Sequence, residues 1–127
     1  MTNAALKPRV LIVDDEPPLR ELMCVTLGSE FECVEAGDGA EALRLMHEEP
    51  PALVFLDIML PDRSGLDILQ EMRDDDDLRG VPTVVVSAWQ SPENMAEAMG
   101  AGADGFLPKP FQVEELESIA HDLVRRL

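Results

Sequence analysis

Five short apolar runs, at residues 10–13, 31–34, 53–56, 83–86 and 105–107, recur along the chain, and they constrain its fold more than any other feature. The first, third and fourth are nearly continuous in Val, Leu, Ile and Phe. A strand with one wet face alternates apolar and polar residues. A continuous run instead predicts a strand buried on both faces, as in a parallel sheet. Segments of helical period lie between the runs. Leu19, Leu22, Met23, Thr26 and Leu27 recur at three and four residues behind Pro17 and Pro18, which suit a first turn. Asp38 with Glu41 reads as a capping box ahead of Ala42, Leu43 and Met46, and Ser64 as the cap of a helix carrying Leu66, Leu69 and Met72. Ser91 with Pro92 opens a fourth helix that should stop near Gly100 or Gly102. A fifth places Val113, Leu116, Ala120, Leu123 and Leu127 on one stripe, with Arg125 and Arg126 at its negative end. Strand and helix alternating five times predict an α/β fold, a five-stranded parallel sheet with helices on both faces joined by right-handed crossovers.

At 127 residues the chain suits one domain, with a folded core from about residue 9 to residue 127. A hydrophobic share of 46% supplies a packed core, and no apolar run is long enough to cross a bilayer. Residues 1–8 lack the apolar stretch of a secretory leader, so a soluble cytoplasmic protein is expected. Cys24 and Cys33 have no metal-type spacing and read as partly buried thiols in a reducing compartment. A formal charge of -16 argues against direct binding to nucleic acid or anionic membranes. Asp74, Asp75, Asp76 and Asp77 read as a solvated acidic loop, since the Gly and terminal Glu of a calcium loop are missing. His47 and His121 are expected on the surface without partners, and Met46, Met72, Met95 and Met99 in the core.

Polar residues interrupt the apolar runs at revealing places. Asp14, Asp15 and Glu16 follow the first run, Asp57 the third, Ser87 the fourth, and Lys109 comes just after the fifth. In an open parallel sheet all of these lie at the carboxyl edge, where ligands bind. Three ionised carboxylates brought together there repel one another unless a cation lies among them. Oxygen ligands without His or Cys point to magnesium. Lys109 adds a fixed positive charge and Ser87 a hydroxyl donor, each suited to a phosphoryl oxygen. A carboxylate nucleophile, a metal, an ammonium and a hydroxyl together describe phosphoryl transfer to an aspartate. Taken singly, an Asp after a strand is more often a turn residue or a cap, and a lone Ser likewise; the convergence carries the functional reading.

Three stretches, Val10-Leu-Ile-Val-Asp-Asp-Glu16, Leu56-Asp-Ile-Met-Leu-Pro-Asp62 leading to Gly65, and Gly102-Ala-Asp-Gly-Phe-Leu-Pro-Lys-Pro-Phe111, resemble the receiver domain of bacterial two-component response regulators. The resemblance runs from about Arg9 to the end of the chain. It implies a flavodoxin-like (βα)5 fold with strand order 2-1-3-4-5. Position by position, it implies that Asp57 accepts the phosphoryl group and that Asp15 ligates magnesium directly, with Asp14 acting through water. The Met59 carbonyl would be the third protein ligand. Ser87 would be the switch hydroxyl, Lys109 the phosphate-pairing lysine, and Phe106 the aromatic whose rotamer follows the switch. The Lys109–Pro110 bond is expected to be cis. Met59 and Trp89 occupy the positions that tune dephosphorylation in this family. The partners implied are a sensor histidine kinase, a phosphotransfer protein or a small phosphodonor upstream. Downstream, a protein effector or a C-terminal output domain is implied. A phosphorylation-linked dimer is also admitted, although Ile119 stands where members that dimerise through the output face often carry Arg.

Three other readings share parts of this pattern. A haloacid-dehalogenase-like phosphohydrolase needs a second acid two residues after its nucleophile, where this chain has Met59. A pseudo-receiver would have lost residues that are all present here. A flavodoxin-type carrier shares the fold, but the crowded acids would repel a flavin phosphate. The site, not the fold, separates these readings.

Overall fold

The computed structural model describes residues 7–89 and 91–125, with side chains through Val124. Its elements run β1 (Arg9–Val13), α1 (Pro17–Leu27), β2 (Glu32–Ala36), α2 (Gly39–Glu48), β3 (Leu53–Asp57), α3 (Gly65–Asp74), β4 (Thr83–Ser87), α4 (Pro92–Gly100), β5 (Gly105–Pro108) and α5 (Val113–Arg125). The five strands form one parallel sheet in the order β2-β1-β3-β4-β5. No helix among the described residues is long and apolar enough to cross a membrane.

Burial on both faces explains the continuous apolar runs. Val10, Ile12, Leu53, Phe55, Val84 and Val86 face one core, closed by Met23 and Leu27 of α1 and Leu116, Ala120 and Leu123 of α5. Their neighbours Leu11, Val13, Val54, Leu56 and Val85 face the other, closed by α2, α3 and Ala98 of α4. The expected caps are in place. Ser64 Oγ accepts from the Leu66 N–H at 3.1 Å, and Ser91 Oγ from the Asn94 N–H at 3.2 Å. At α2 the capping box is altered. Asp38 Oδ1 accepts from the Glu41 N–H, but the Glu41 carboxylate takes the N–H of Gly37 rather than that of Asp38. The fourth helix ends at Gly100, and Gly102 adopts a φ of 108°, the left-handed backbone that favours glycine.

Several expectations need correction. The second strand starts at Glu32, one residue later than its apolar run, and Phe31 is buried just ahead of it. Met46 and Met72 are fully buried, whereas Met95 and Met99 are 39% and 48% exposed. The short α4 buries only Ala98, so these two methionines flank its packed line instead of forming it. Leu22 and Val113 are likewise exposed at the margins of their stripes, and Leu127 and Arg126 lie outside the described residues. Neither histidine is without a partner: His47 Nε2 lies 2.9 Å from Asp75, and His121 Nε2 lies 2.9 Å from Glu30. Asp75 thus holds a histidine 28 residues away instead of belonging to a uniformly solvated acidic run.

Two polar anchors tie the helices to the sheet. The Arg73 guanidinium, at the end of α3, donates to the carbonyls of Gly102, Val81 and Arg79, and pairs with Asp104 at 3.1 Å. Asp104 in turn accepts from the Thr83 N–H that opens β4. The second anchor is Asp62, whose two oxygens accept from the N–H groups of Gly39 and Ala40 in the first turn of α2, at 2.8 and 2.9 Å. Those two bonds, that from Gly39 foremost, hold the Asp62 carboxyl below the usual carboxylate range.

Replacing Arg73 by Lys keeps a charge but cannot reproduce the fork, and it should lower stability by about 1–3 kcal/mol in urea denaturation; an unchanged midpoint would show that the guanidinium contributes no more than packing. Because the Asp62 pKa is depressed by folding, its stabilisation is present above the unfolded pKa and is lost as pH falls through the folded one. The difference in melting temperature between the parent chain and Asp62→Ala should therefore be largest near neutral pH and shrink on acidification. A constant difference across that range would refute this account.

Candidate functional site

Every strand but β2 delivers a residue to one cleft at the carboxyl edge of the sheet. Asp14 follows β1, Asp57 and Ser87 end β3 and β4, and Lys109 comes directly after β5. Parallel pairing sets these ends level: Asp57 is in register with Val86, and Ser87 with Pro108. The turn into α1 is held by the Glu16 N–H donating to Asp14 Oδ1 and by Arg20, whose guanidinium donates to the Asp14 carbonyl. The Lys109 N–H donates to the Ser87 carbonyl at 2.8 Å, and the Lys109–Pro110 peptide bond is cis, as expected.

The side chains then converge. Lys109 Nζ lies 2.8 Å from Asp14 Oδ2, 3.0 Å from Asp57 Oδ2 and 3.4 Å from Glu16 Oε1. Asp14, Asp57 and Ser87 are all buried to within 5% exposure. Burial pushes the Asp57 carboxyl above its ordinary pKa, against the opposing pull of the Met59 N–H, which donates to Asp57 Oδ1 at 3.0 Å, and of Lys109. Burial also works against the Lys109 charge, but its bonds to Asp14 and Asp57 outweigh that and raise its pKa. The Ser87 hydroxyl accepts from the Trp89 N–H at 2.9 Å. An open cleft of about 500 Å³ separates these groups, lined by Asp15, Glu16, Asp57, Met59, Ser87 and Lys109.

Asp14, Asp15 and Glu16 bring carboxylate oxygens within 4.8 Å of one another. Asp14 Oδ2 is buried and faces the Lys109 ammonium at 2.8 Å. The available ligand atoms are hard oxygens on a crowded acidic group, and this set fits a hard divalent cation. Glu16, absent from the ligand set expected from sequence, belongs to this acidic group; its place directly after Asp15 was the available signal. Gly65, too, has a role that its motif does not explain. A Cβ there would lie 2.1 Å from the Asp57 carbonyl oxygen, and its N–H donates to the Ile58 carbonyl at 2.7 Å. Only glycine lets α3 start against the end of β3. Phe106 sits apart from the cleft, partly buried on β5 against the core shared with α2 and α3, with Val85 as its strand partner. Met59 and Trp89 are about half exposed beside the site.

Comparison with known proteins agrees with this architecture. The family model for the response regulator receiver domain matches residues 10–121. The probable transcriptional regulatory protein TcrX of Mycobacterium tuberculosis is 38% identical over 118 residues, 92% of this chain and 50% of that protein. The DNA-binding response regulator MtrA of Mycolicibacterium smegmatis is 36% identical over 122 residues, 95% of this chain and 52% of that protein. This chain therefore spans about half the length of these relatives. Among solved structures, the receiver domain of the Francisella response regulator 1452 superposes with a TM-score of 0.89 at 29% identity, covering 94% of this chain and 98% of that one. With strand order, cleft and family match in agreement, the chain belongs to the response regulator receiver domains, the phosphorylation-activated switches of two-component signalling.

Proposed function

We propose that Asp57 is the residue phosphorylated, and that residues from about 9 to 127 form one receiver unit carrying out the transfer. The observation that carries this reading is the Lys109 ammonium, held between the buried carboxylates of Asp14 and Asp57 at 2.8 and 3.0 Å, at the floor of an open cleft. An Asp57 oxygen attacks phosphorus as the bond to the donor breaks, and the bonding pair leaves with the donor. The donor is a histidine kinase, a phosphotransfer protein or a small phosphodonor. Lys109 supplies a fixed positive charge for the incoming phosphoryl oxygens and Ser87 a hydroxyl donor, so charge that develops there meets groups already in place. Magnesium would be held by Asp14, Asp15, Asp57 and the Met59 carbonyl, with Glu16 at the margin, and when bound it neutralises phosphoryl charge. Ser87 and Phe106 carry the change from the cleft to the face formed by α4, β5 and α5, biasing an equilibrium between two surfaces. The work is done in the cytoplasm, on a downstream protein or an output domain.

Intact mass after incubation with acetyl phosphate should show one added phosphoryl group that requires both magnesium and Asp57. Asp57→Asn should show none. No addition to the parent chain under any condition would leave a pseudo-receiver, docking without phosphorylation.

Met59 and Trp89 are half exposed beside the cleft, and neither side chain offers a carboxylate or amide to orient an attacking water. The phosphorylated state should therefore be long-lived, and Met59→Asn or Trp89→Glu should shorten its half-life, measured as the decay of the phosphorylated mass. Rapid decay in the parent chain, indifferent to both substitutions, would overturn that role.

A further inference from the structure

Neither cysteine lines the cleft, yet the fold brings the two together. Cys24 lies on α1 and Cys33 on β2, both partly buried and both packed on the core closed by α1 and α5. Their meeting follows from register. Arg20, one turn before Cys24, pairs with Glu35, two residues beyond Cys33, at 3.0 Å. Residues four apart share one side of a helix, and residues two apart share one face of a strand. The next rung of this ladder therefore sets Cys24 against Cys33. The Cys24 thiol donates a hydrogen bond to Cys33 Sγ. That bond holds the Cys33 thiol below its ordinary pKa and, together with burial, pushes the Cys24 thiol up. Cys33 is thus the better source of thiolate, the form of cysteine that reacts. Among the described residues no third ligand completes a metal site around the pair.

We propose that Cys24 and Cys33 form a reversible disulfide on exposure to hydrogen peroxide, a redox-controlled staple of α1 to β2. Cys33 Sγ attacks one peroxide oxygen as the O–O bond breaks. Cys33 becomes a sulfenic acid, and the other oxygen leaves as water with the thiol proton. Cys24 Sγ then attacks the Cys33 sulfur, the S–O bond breaks, and the departing hydroxyl takes the Cys24 proton as a second water. The two thiols together lose two electrons and two protons, and the peroxide is reduced to water. A dithiol reverses the bond by exchange. In a compartment that keeps thiols reduced such a bond is transient, so it registers oxidant instead of supporting the fold permanently. The staple closes one helical turn from Arg20, whose guanidinium also holds the Asp14 carbonyl at the cleft.

The test exposes the whole chain to hydrogen peroxide, alkylates it in denaturant and measures its intact mass. The linked chain should be two hydrogens lighter than the reduced chain and take up no alkyl group. Dithiothreitol should then restore both alkylatable thiols. Peptide mapping should join Cys24 to Cys33 within one molecule. The linked chain should also melt a few degrees higher, because a cross-link restrains the unfolded chain. In Cys24→Ser, peroxide should leave a sulfenic acid on Cys33 that a cyclic diketone traps. Trapping on Cys24 in Cys33→Ser should be slower by about fivefold or more. Two alkylated thiols after peroxide, oxygen added to the sulfurs in place of a bond, or links only between molecules would each overturn the proposal. A melting temperature that does not rise would overturn the staple, and equal trapping in the two variants would overturn Cys33 as the attacking sulfur. None of these readouts depends on phosphorylation of Asp57.

Discussion

The Lys109 ammonium, shared between Asp14 and Asp57, is the contact on which the rest of the structure depends. Two carboxylates buried to this degree at one sheet edge would repel each other and be driven towards their neutral forms. One lysine directly after the fifth strand, within 3.0 Å of both, keeps the pair tolerable. The compensation is partial: the Asp57 carboxyl remains above its ordinary pKa because burial still dominates. The site is therefore under-neutralised by the protein's own groups. That is the condition in which a hard cation and a group bearing several acceptor oxygens find favourable places.

Holding this arrangement requires the surrounding loops to be exact in position, and small features supply that. Gly65 admits α3 against the carbonyl of Asp57 itself, so the helix start braces the end of β3 from behind. Asp62, in the same loop, reaches across to the first turn of α2. The β3–α3 connection thus touches Asp57 at one end and a neighbouring helix at the other. On the far side of the sheet edge, Arg73 and Asp104 join the end of α3, the start of β4 and the turn before β5. The cleft and the free edge of the sheet are consequently linked through β4 and β5, with Ser87 at the end of one, Lys109 just after the other, and Phe106 on β5.

Much of this was legible in the sequence. Continuous apolar runs announced strands buried on both faces, and serine and proline marked helix starts, because these are local consequences of backbone sterics and periodicity. The order of acids, hydroxyl and lysine at run ends announced the cleft, since parallel strands must all deliver their carboxyl ends to one edge. Pairings that depend on approach between distant segments were not legible. His47 with Asp75, His121 with Glu30, and Arg73 with the carbonyl of Gly102 join residues 28, 91 and 29 positions apart. No local pattern encodes them. Met95 and Met99 were misplaced for a related reason: composition gives them an apolar side chain, but only the packing of α4 decides how much of that helix the sheet covers.

The sequence by itself determined the fold class, the strand boundaries to within two residues, and which residue types meet at the site, because burial pattern and chain direction leave few other solutions. Tertiary structure alone decided how the charges are shared: that Lys109 is split between Asp14 and Asp57, that Glu16 joins the acidic group, and that Asp62 serves a helix rather than the cleft. The reason is range. Strand and helix follow from interactions a few residues apart, while electrostatic partnership depends on separations of a few ångströms that exist only once the sheet has closed.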